Sequence, residues 1–209
     1  VGITVQQALD AKEGQILNGC LILKEEYYQA RSLQWRNDFK SVLALKLRCV
    51  PQNMFEFAKN LVNVMMPEAL GVMAESFILT GLQNCYFPKL VRIGDLAFYQ
   101  CQIKELNSQS FPSLETVGEY GFAYCPITQA NLPNLLTVGE KGFYGCKIMR
   151  QFSAPRLQKI VFLTVNSSQL SIAIWGQKSS RAKNAKDVLS AQENFLSVQG
   201  EELQRENWS

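Results

Sequence analysis

The sequence predicts an α/β repeat fold: a solenoid in which each coil contributes one short parallel strand and helical caps close both ends. Two observations support this prediction. Prolines recur every 21 to 24 residues, at Pro67, Pro88, Pro112, Pro133 and Pro155, and a hydrophobic pattern keeps its phase relative to each of them. Self-similarity with a period of 20 to 50 residues is typical of stacked coils, in which each repeat buries the apolar face of the next.

The phased pattern is clearest in three consecutive stretches: "LVRIGDLAFYQC" (90–101), "LETVGEYGFAYC" (114–125) and "LLTVGEKGFYGC" (135–146). A Phe lies ten residues after four of the prolines, at Phe77, Phe98, Phe122 and Phe143. A β-branched residue lies five residues after all five prolines, at Val72, Ile93, Val117, Val138 and Ile160. An aliphatic residue lies fifteen residues after them, at Leu82, Ile103, Ile127, Ile148 and Leu170. Because neighbouring coils lie about 4.7–4.9 Å apart, equivalent residues are expected to stack as inward ladders.

The segment before each proline predicts the strand. Residues 61–67, 82–88 and 127–133 share one alternating pattern that ends in Pro, and residues 170–176 share it with Gly in that place. Alternate side chains of a strand point to the same face. Proline has no N–H to give to a ladder, so it marks the end of the strand.

Two details of the pattern predict local backbone features. Gly94, Gly118 and Gly139 follow the β-branched residue, where we expect a backbone conformation that a side chain would hinder. The interval of 24 residues before Pro112, which contains "NSQSF", predicts a bulged or longer coil.

The composition argues against several classes of function. The 209-residue chain has no His, no CxxC and no distinctive pair of carboxylates, so we expect no enzyme, cofactor, metal or small-molecule substrate. Its formal net charge of +3 does not suggest a nucleic-acid partner. No apolar run approaches the roughly 20 residues of a membrane span. Three of the six cysteines, Cys101, Cys125 and Cys146, share one register, which favours buried reduced thiols over disulfides or a metal site.

The ends of the chain depart from the repeat. Residues 1–60 are predicted to be an N-terminal cap with degenerate repeats, in which Thr4 and Gln7 form a capping box that opens a short helix ending near Gly14. Residues 23–39 could be helix or a divergent coil, and residues 43–51 one more worn strand that ends at Pro51. Residues 61–176 are the repeats. Residues 177–209 are predicted to be a capping helix and tail, with a stripe of Ala185, Val188, Leu189, Phe195 and Leu196.

The repeated unit resembles the BspA-type leucine-rich repeat. The resemblance rests on L-x-x-I/V-G-x-x-x-F-x-x-C-x-I followed by a short strand and Pro, and it covers roughly residues 61–176. The outer copies depart from the unit at Met73, Thr80, Val165 and Ser168. The resemblance implies a leucine-rich-repeat solenoid, and it implies kinship with surface proteins of bacteria and protists that attach to host or matrix proteins.

The predicted function is non-catalytic protein binding through the outward residues of the strands. These candidate residues are Gln83, Tyr86, Lys104, Glu105, Asn107, Thr128, Gln129, Asn131 and Arg150, with Gln151 following. One hypothesis is a surface adhesion protein, and the alternative is an intracellular scaffold or a structural subunit of an assembly. The family resemblance favours the cell surface or secretion, whereas reduced cysteines favour the cytoplasm. Asn166-Ser-Ser and Asn207-Trp-Ser match the glycosylation pattern.

Overall fold

The computed structural model describes residues 2–160 and 172–175, which form a β-solenoid of about six turns with almost no helix. The helix is α1 (Val5–Asp10). The strands are β1 (Ile16–Leu17), β2 (Cys20–Leu23), β3 (Ser41–Ala44), β4 (Cys49–Val50), β5 (Asn63–Met65), β6 (Gly71–Val72), β7 (Asn84–Tyr86), β8 (Arg92–Ile93), β9 (Glu105–Leu106), β10 (Thr116–Val117), β11 (Gln129–Asn131), β12 (Thr137–Val138), β13 (Gln151–Ala154), β14 (Lys159–Ile160) and β15 (Ile172–Trp175).

Each coil contributes two strands, so the prediction of one strand per coil was wrong. The predicted strands form two sheets, ordered β1-β2-β3-β5-β7 and β15-β13-β11-β9. A third sheet, with six strands in the order β14-β12-β10-β8-β6-β4, forms a second side of the solenoid. Its strands are two residues long and contain the β-branched position of the repeat. Two residues are too short to show an alternating pattern in the sequence. Among the strands of residues 2–160 and 172–175, every pair is parallel except β1 with β2.

The third side of each coil is a turn rather than a strand, and we call this side the turn wall. Within the described residues its turns are residues 31–36, 53–58, 75–80, 96–101, 120–125 and 141–146. The first and fifth residues of each of these turns have positive φ. The N–H groups of Leu96, Phe98 and Gln100 donate to carbonyl oxygens of the next coil. The regular bonding between coils therefore holds the backbone in a conformation that non-glycine residues rarely adopt.

A column of phenylalanines runs through the core. The rings of Phe77, Phe98, Phe122 and Phe143 are fully buried and stack on one another, with centroids 5.1, 5.1 and 5.5 Å apart. Phe55 continues the column at 5.1 Å from Phe77. The predicted phenylalanine ladder is therefore confirmed, and it extends one coil further toward the N-terminus than the sequence pattern indicated.

The aliphatic ladder slips by one residue in its fourth coil. Leu82, Ile103 and Ile127 are buried as predicted, whereas Ile148 is 41% exposed. Met149 takes its place in the core. The prediction for Ile148 was wrong because this coil holds one more residue between its cysteine and the buried position, and the count from Pro133 does not register that insertion.

The repeated glycines are required by close approach between coils. A Cβ on Gly139 would lie 2.7 Å from the backbone N of Glu119, and one on Gly94 would lie 2.8 Å from that of Ala74. Neither glycine has positive φ. A side chain is therefore excluded here by the neighbouring backbone rather than by the torsion angles of the glycine itself.

The repeated cysteines line the core beside the phenylalanines. Cys101, Cys125 and Cys146 are buried, and their thiols donate to the carbonyl oxygens of Phe77, Phe98 and Phe122 in the preceding coil. Burial raises the pKa of Cys101 and of Cys146 to about 12. These thiols are protonated at neutral pH and serve as small hydrophobic residues with one weak donor.

The predicted helical caps are not seen in the described residues. The capping box is present, since Thr4 Oγ1 accepts from the N–H of Gln7 and Gln7 Oε1 accepts from that of Thr4, but α1 ends at Asp10 rather than near Gly14. The edge of the first sheet is instead occupied by β1, which returns through Asn18 and Gly19, both with positive φ. Asn-Gly is a strong hairpin signal that the sequence prediction overlooked. The predicted C-terminal helix lies outside the described residues.

The region before residue 61 is built from divergent coils. Residues 23–39 begin at the last residue of β2 and contain no helix. The N–H groups of Arg31, Leu33 and Trp35 donate to carbonyl oxygens of the next coil, as in the regular turns. The stretch 43–51 contains the end of β3 and all of β4 rather than one strand. Pro51 follows β4, so it is out of register with the other repeat prolines.

Candidate functional site

The candidate site is the strand face, which we define as the outward side of the two sheets that contain β7 and β9. Seven of the nine predicted residues are exposed there, and Asn107 and Thr128 are half-buried. Register pairs Glu105 with Gln129, and Gln129 with Gln151. The sequence alternation therefore located an outward-facing surface that spans consecutive coils.

The two sheets of the strand face are interrupted between β7 and β9, which do not pair with each other. The interruption coincides with the long coil predicted before Pro112. Its extra residues form a turn in which Asn107 Oδ1 accepts from the N–H groups of Gln109 and Ser110, at 3.0 and 2.9 Å. After the turn, Phe111 enters the core and stacks on Phe87. The bulge therefore opens the surface without opening the core.

A depression of about 310 Å³ lies at this interruption. Four predicted residues line it: Gln83, Lys104, Glu105 and Asn107. Cys85, Ile103 and Phe111 give it an apolar floor, and Asn84 and Ser110 complete the wall. Polar groups around a small apolar floor are typical of a place where one side chain of a partner is received.

A second depression of about 330 Å³ adjoins the first and shares Glu105 and Asn107 with it. Gln129 and Asn131 are the others of the nine predicted residues in its lining. Gln151, which was expected to follow them, also lines it, and Ser153 and the buried Leu106, Ala130 and Phe152 form the rest. Glu105 is the one carboxylate in the linings of the two depressions. The structure thus brings six predicted residues together around one acidic side chain.

Three predicted residues line neither depression: Tyr86, Thr128 and Arg150. The Thr128 hydroxyl donates to the carbonyl oxygen of Lys104 at 3.1 Å, so this side chain connects two coils. Tyr86 is 43% exposed and lies beside Met65 on the neighbouring strand, which is 42% exposed. These two side chains form an apolar border to the polar strand face.

The sequence prediction missed an amide ladder on the same face. Asn84 Nδ2 donates to Asn63 Oδ1 at 2.8 Å, and Asn63 Nδ2 donates to Ser41 Oγ at 3.0 Å. Each amide donates toward the preceding coil, and Asn84, the last residue of the ladder, lines the first depression. The signal that could have found it is the recurrence of a polar residue at 41, 63 and 84, each three positions before a buried apolar residue.

The linings of the two depressions include one thiol, that of Cys85. Cys85 lines the first depression, but burial raises the pKa of its thiol well above the ordinary value, which favours the unreactive protonated form. Among residues 2–160 and 172–175, no group of three or more His, Cys, Asp or Glu side chains is arranged to hold a metal ion. No helix in that part of the chain has the length and apolar character needed to cross a membrane.

A second exposed surface, which the sequence prediction also missed, lies on the turn wall. Tyr99, Tyr120, Tyr124 and Tyr144 form a cluster of edge-to-face rings with centroids 5.4 to 6.3 Å apart. The signal was present as a Tyr between the Phe and the Cys of three repeats. It was obscured because that Tyr follows Phe122 by two residues but follows Phe98 and Phe143 by one.

The protein-family model for the BspA type leucine rich repeat region matches the chain in six copies, over residues 39–104 and 71–177. The chain belongs to the BspA-type leucine-rich repeat family. A search of curated proteins finds no match, and a search of solved structures finds none. The family match begins at residue 39, so the BspA-type repeats include part of the N-terminal region that the sequence pattern had left as degenerate.

The departures from the BspA-type unit are accommodated locally. Thr80 occupies the cysteine position of its coil, where it is buried and its hydroxyl lies 3.3 Å from the thiol of Cys101. Met73 occupies the glycine position, and its side chain is 50% exposed rather than directed between coils. Both substitutions lie toward the N-terminal end of the described BspA-type repeats, where the coils are least regular.

Proposed function

We propose that this BspA-type solenoid is a non-catalytic module that binds a protein partner through the strand face. Leucine-rich repeat solenoids are typically protein-binding modules. The single observation that supports the proposal most is the pair of adjoining depressions that share Glu105 and Asn107. Polar side chains around small apolar floors, with Tyr86 and Met65 at the border, match the composition of transient protein interfaces.

The experiment uses the full chain as immobilised bait and compares two charge reversals. Glu105→Lys alters the strand face, and Glu26→Lys is the matched control on an exposed residue of the N-terminal coils. Proteins enriched by the wild-type chain are quantified by mass spectrometry, and their affinities are then measured with purified components. We expect Glu105→Lys to weaken the partner by roughly ten-fold or more and Glu26→Lys to leave it unchanged. Equal loss with both variants, or with neither, contradicts the proposal.

We propose surface adhesion as the role of the module, with an intracellular scaffold as the alternative. The resemblance to surface proteins supports adhesion. The buried thiols of Cys101, Cys125 and Cys146, each donating to a carbonyl oxygen, support the scaffold. Two measurements on native material separate the roles. A glycan on Asn166 supports surface exposure, whereas six titratable thiols after unfolding without reductant support a reducing compartment.

A further inference from the structure

We propose that the tyrosine cluster of the turn wall is a second interaction surface, which receives an arginine-bearing segment of a protein partner. The surface is separate from the strand face, so the inference stands independently of the proposed function. Tyr124 is 41% exposed, and the other three rings of the cluster are half-buried. Exposed tyrosines gathered on one side are a feature of protein interfaces, since their rings supply large rigid contact area at a small cost in conformational entropy.

The rings of the cluster meet edge to face. Tyr99 is inclined by 67° to Tyr120 and by 68° to Tyr124, and Tyr124 is inclined by 81° to Tyr144. Edge-to-face contact uses the edge of one ring and the face of another, so a cluster of this kind is not a closed stack. One face is already in use, since Lys141 Nζ lies 5.1 Å from the centroid of Tyr120. The cluster therefore binds a cation of its own chain.

The charges beside the cluster favour a cationic partner. Asp95, Glu119 and Glu140 occupy the same position in three consecutive coils, because the N–H groups of Glu75, Leu96 and Tyr120 donate to their carbonyl oxygens. All three side chains are exposed. Glu140 pairs with Lys141 at 3.4 Å, and no ion pair of the described residues includes Asp95 or Glu119. Asp95 Oδ1 also accepts from the N–H of Glu119 at 2.7 Å. Exposed carboxylates at one position of neighbouring coils offer acceptors to the N–H groups of a cation.

Arginine fits this surface better than other cations. Its planar guanidinium stacks on aromatic faces and at the same time donates to carboxylates, whereas the ammonium of lysine is a compact and strongly hydrated charge. The whole chain carries a formal net charge of +3. General electrostatic attraction therefore does not explain binding of a polycation, and any such binding has to come from a local acidic and aromatic surface.

The test measures binding of a fluorescein-labelled nona-arginine peptide to the full chain by fluorescence anisotropy at low ionic strength. The key variant is Tyr99→Ala with Tyr124→Ala, and its conservative partner is Tyr99→Phe with Tyr124→Phe. The alanine variant is expected to bind the peptide roughly five- to thirty-fold more weakly, since two ring faces are lost. The phenylalanine variant keeps the ring faces and is expected to stay within about two-fold of wild type. Glu105→Gln on the strand face is expected to have no effect.

The proposal is overturned by no binding of nona-arginine by the wild-type chain, by equal binding by the alanine variant, or by equal losses from Glu105→Gln and from the tyrosine variant. Glu119→Gln with Glu140→Gln keeps the proposal testable should the alanine variant fail to fold, because both glutamates are exposed. This variant is expected to weaken binding of the peptide several-fold, and unchanged binding contradicts the proposal.

Sedimentation velocity tests whether a second copy of the chain occupies the tyrosine cluster instead. Self-association that the tyrosine variant abolishes would assign the surface to a second copy and overturn the proposal.

Discussion

The ring of Phe122 stacks on that of Phe98, with their centroids 5.1 Å apart and their planes inclined by 10°. The same relation joins Phe122 to Phe143 on its other side, at 5.5 Å. Because each coil buries its apolar face only against its neighbours, the solenoid is stabilised by nearest-neighbour contacts of this kind. Loss of one ring therefore affects two interfaces between coils at once.

Truncation of the central ring should be severely destabilising. Phe122→Ala removes a fully buried side chain from the middle of the column, and we expect the free energy of unfolding to fall by about 3–5 kcal/mol. Phe122→Leu keeps most of the volume and should cost clearly less. Urea unfolding followed by circular dichroism measures both variants. An unchanged midpoint for Phe122→Ala would show that the column does not carry the stability of the stack.

A side chain at Gly139 should be destabilising. In Gly139→Ala the new Cβ would lie 2.7 Å from the backbone N of Glu119, so the coils must move apart and the free energy of unfolding should fall by about 1–3 kcal/mol. Gly2→Ala is the matched control, because nothing lies within 4 Å of its added Cβ. Thermal unfolding of the two variants provides the measurement. Similar melting temperatures would contradict a steric role for Gly139.

Stability should fall at alkaline pH because of the buried thiols. The pKa of Cys101 is raised by burial to about 12, against about 8.5 for an unfolded cysteine, so the unfolded state releases its proton first. The contribution of the neutral thiol is complete below the unfolded pKa and decreases as the pH rises toward the folded one. Between pH 9 and 10.5, each such thiol should lower the free energy of unfolding by about 1–1.4 kcal/mol per pH unit.

The alkaline prediction is tested with Cys101→Ala and with Ala97→Gly, both at fully buried positions. Urea unfolding at several pH values in this interval should give a shallower pH dependence for Cys101→Ala, by roughly one thiol's share. Ala97→Gly should lower stability at every pH without altering the slope. Parallel slopes for Cys101→Ala and wild type would be inconsistent with a protonated buried thiol.

Shortening the long coil should close the interruption of the strand face. Deletion of residues 108–110 brings the interval from Pro88 to Pro112 from 24 to 21 residues, which is the length of the coils ending at Pro88 and Pro133. We expect β7 and β9 to pair, with slower amide hydrogen exchange at residues 84–86 and 105–106 and with loss of the first depression. Wild-type exchange rates in the deletion variant would show that the bulge is not the cause of the interruption.

The stacked core could be predicted from the sequence because its signal repeats. Phe98, Phe122 and Phe143 keep their distance from a proline, so any one of them predicts the others. The second strand of each coil could not be predicted in this way, since Arg92 and Ile93 alone carry no alternation. Ile148 was misplaced because counting from a proline assumes constant length within the coil.

The outward-facing residues of the candidate site could be predicted from the sequence, but its depressions could not. Alternation along the strand predicted that Glu105 and Gln129 face outward, since this depends only on neighbouring residues. The depressions depend on the absence of pairing between β7 and β9, which is a relation between coils. The tyrosine cluster depends on a shift of one residue between Tyr99 and Tyr124 that places both rings on the same patch.

The turn wall has a consequence for protein engineering. Residues as different as Trp35, Glu75, Gln100 and Tyr124 adopt the same left-handed conformation, because the amides of adjacent coils impose it whatever the side chain. The backbone conformation of the turn wall therefore does not depend on which side chains it carries. The exposed residues of the turn wall could therefore be substituted one coil at a time while the backbone keeps its geometry. Asn or Gly could be chosen at the positive-φ positions where extra stability is wanted.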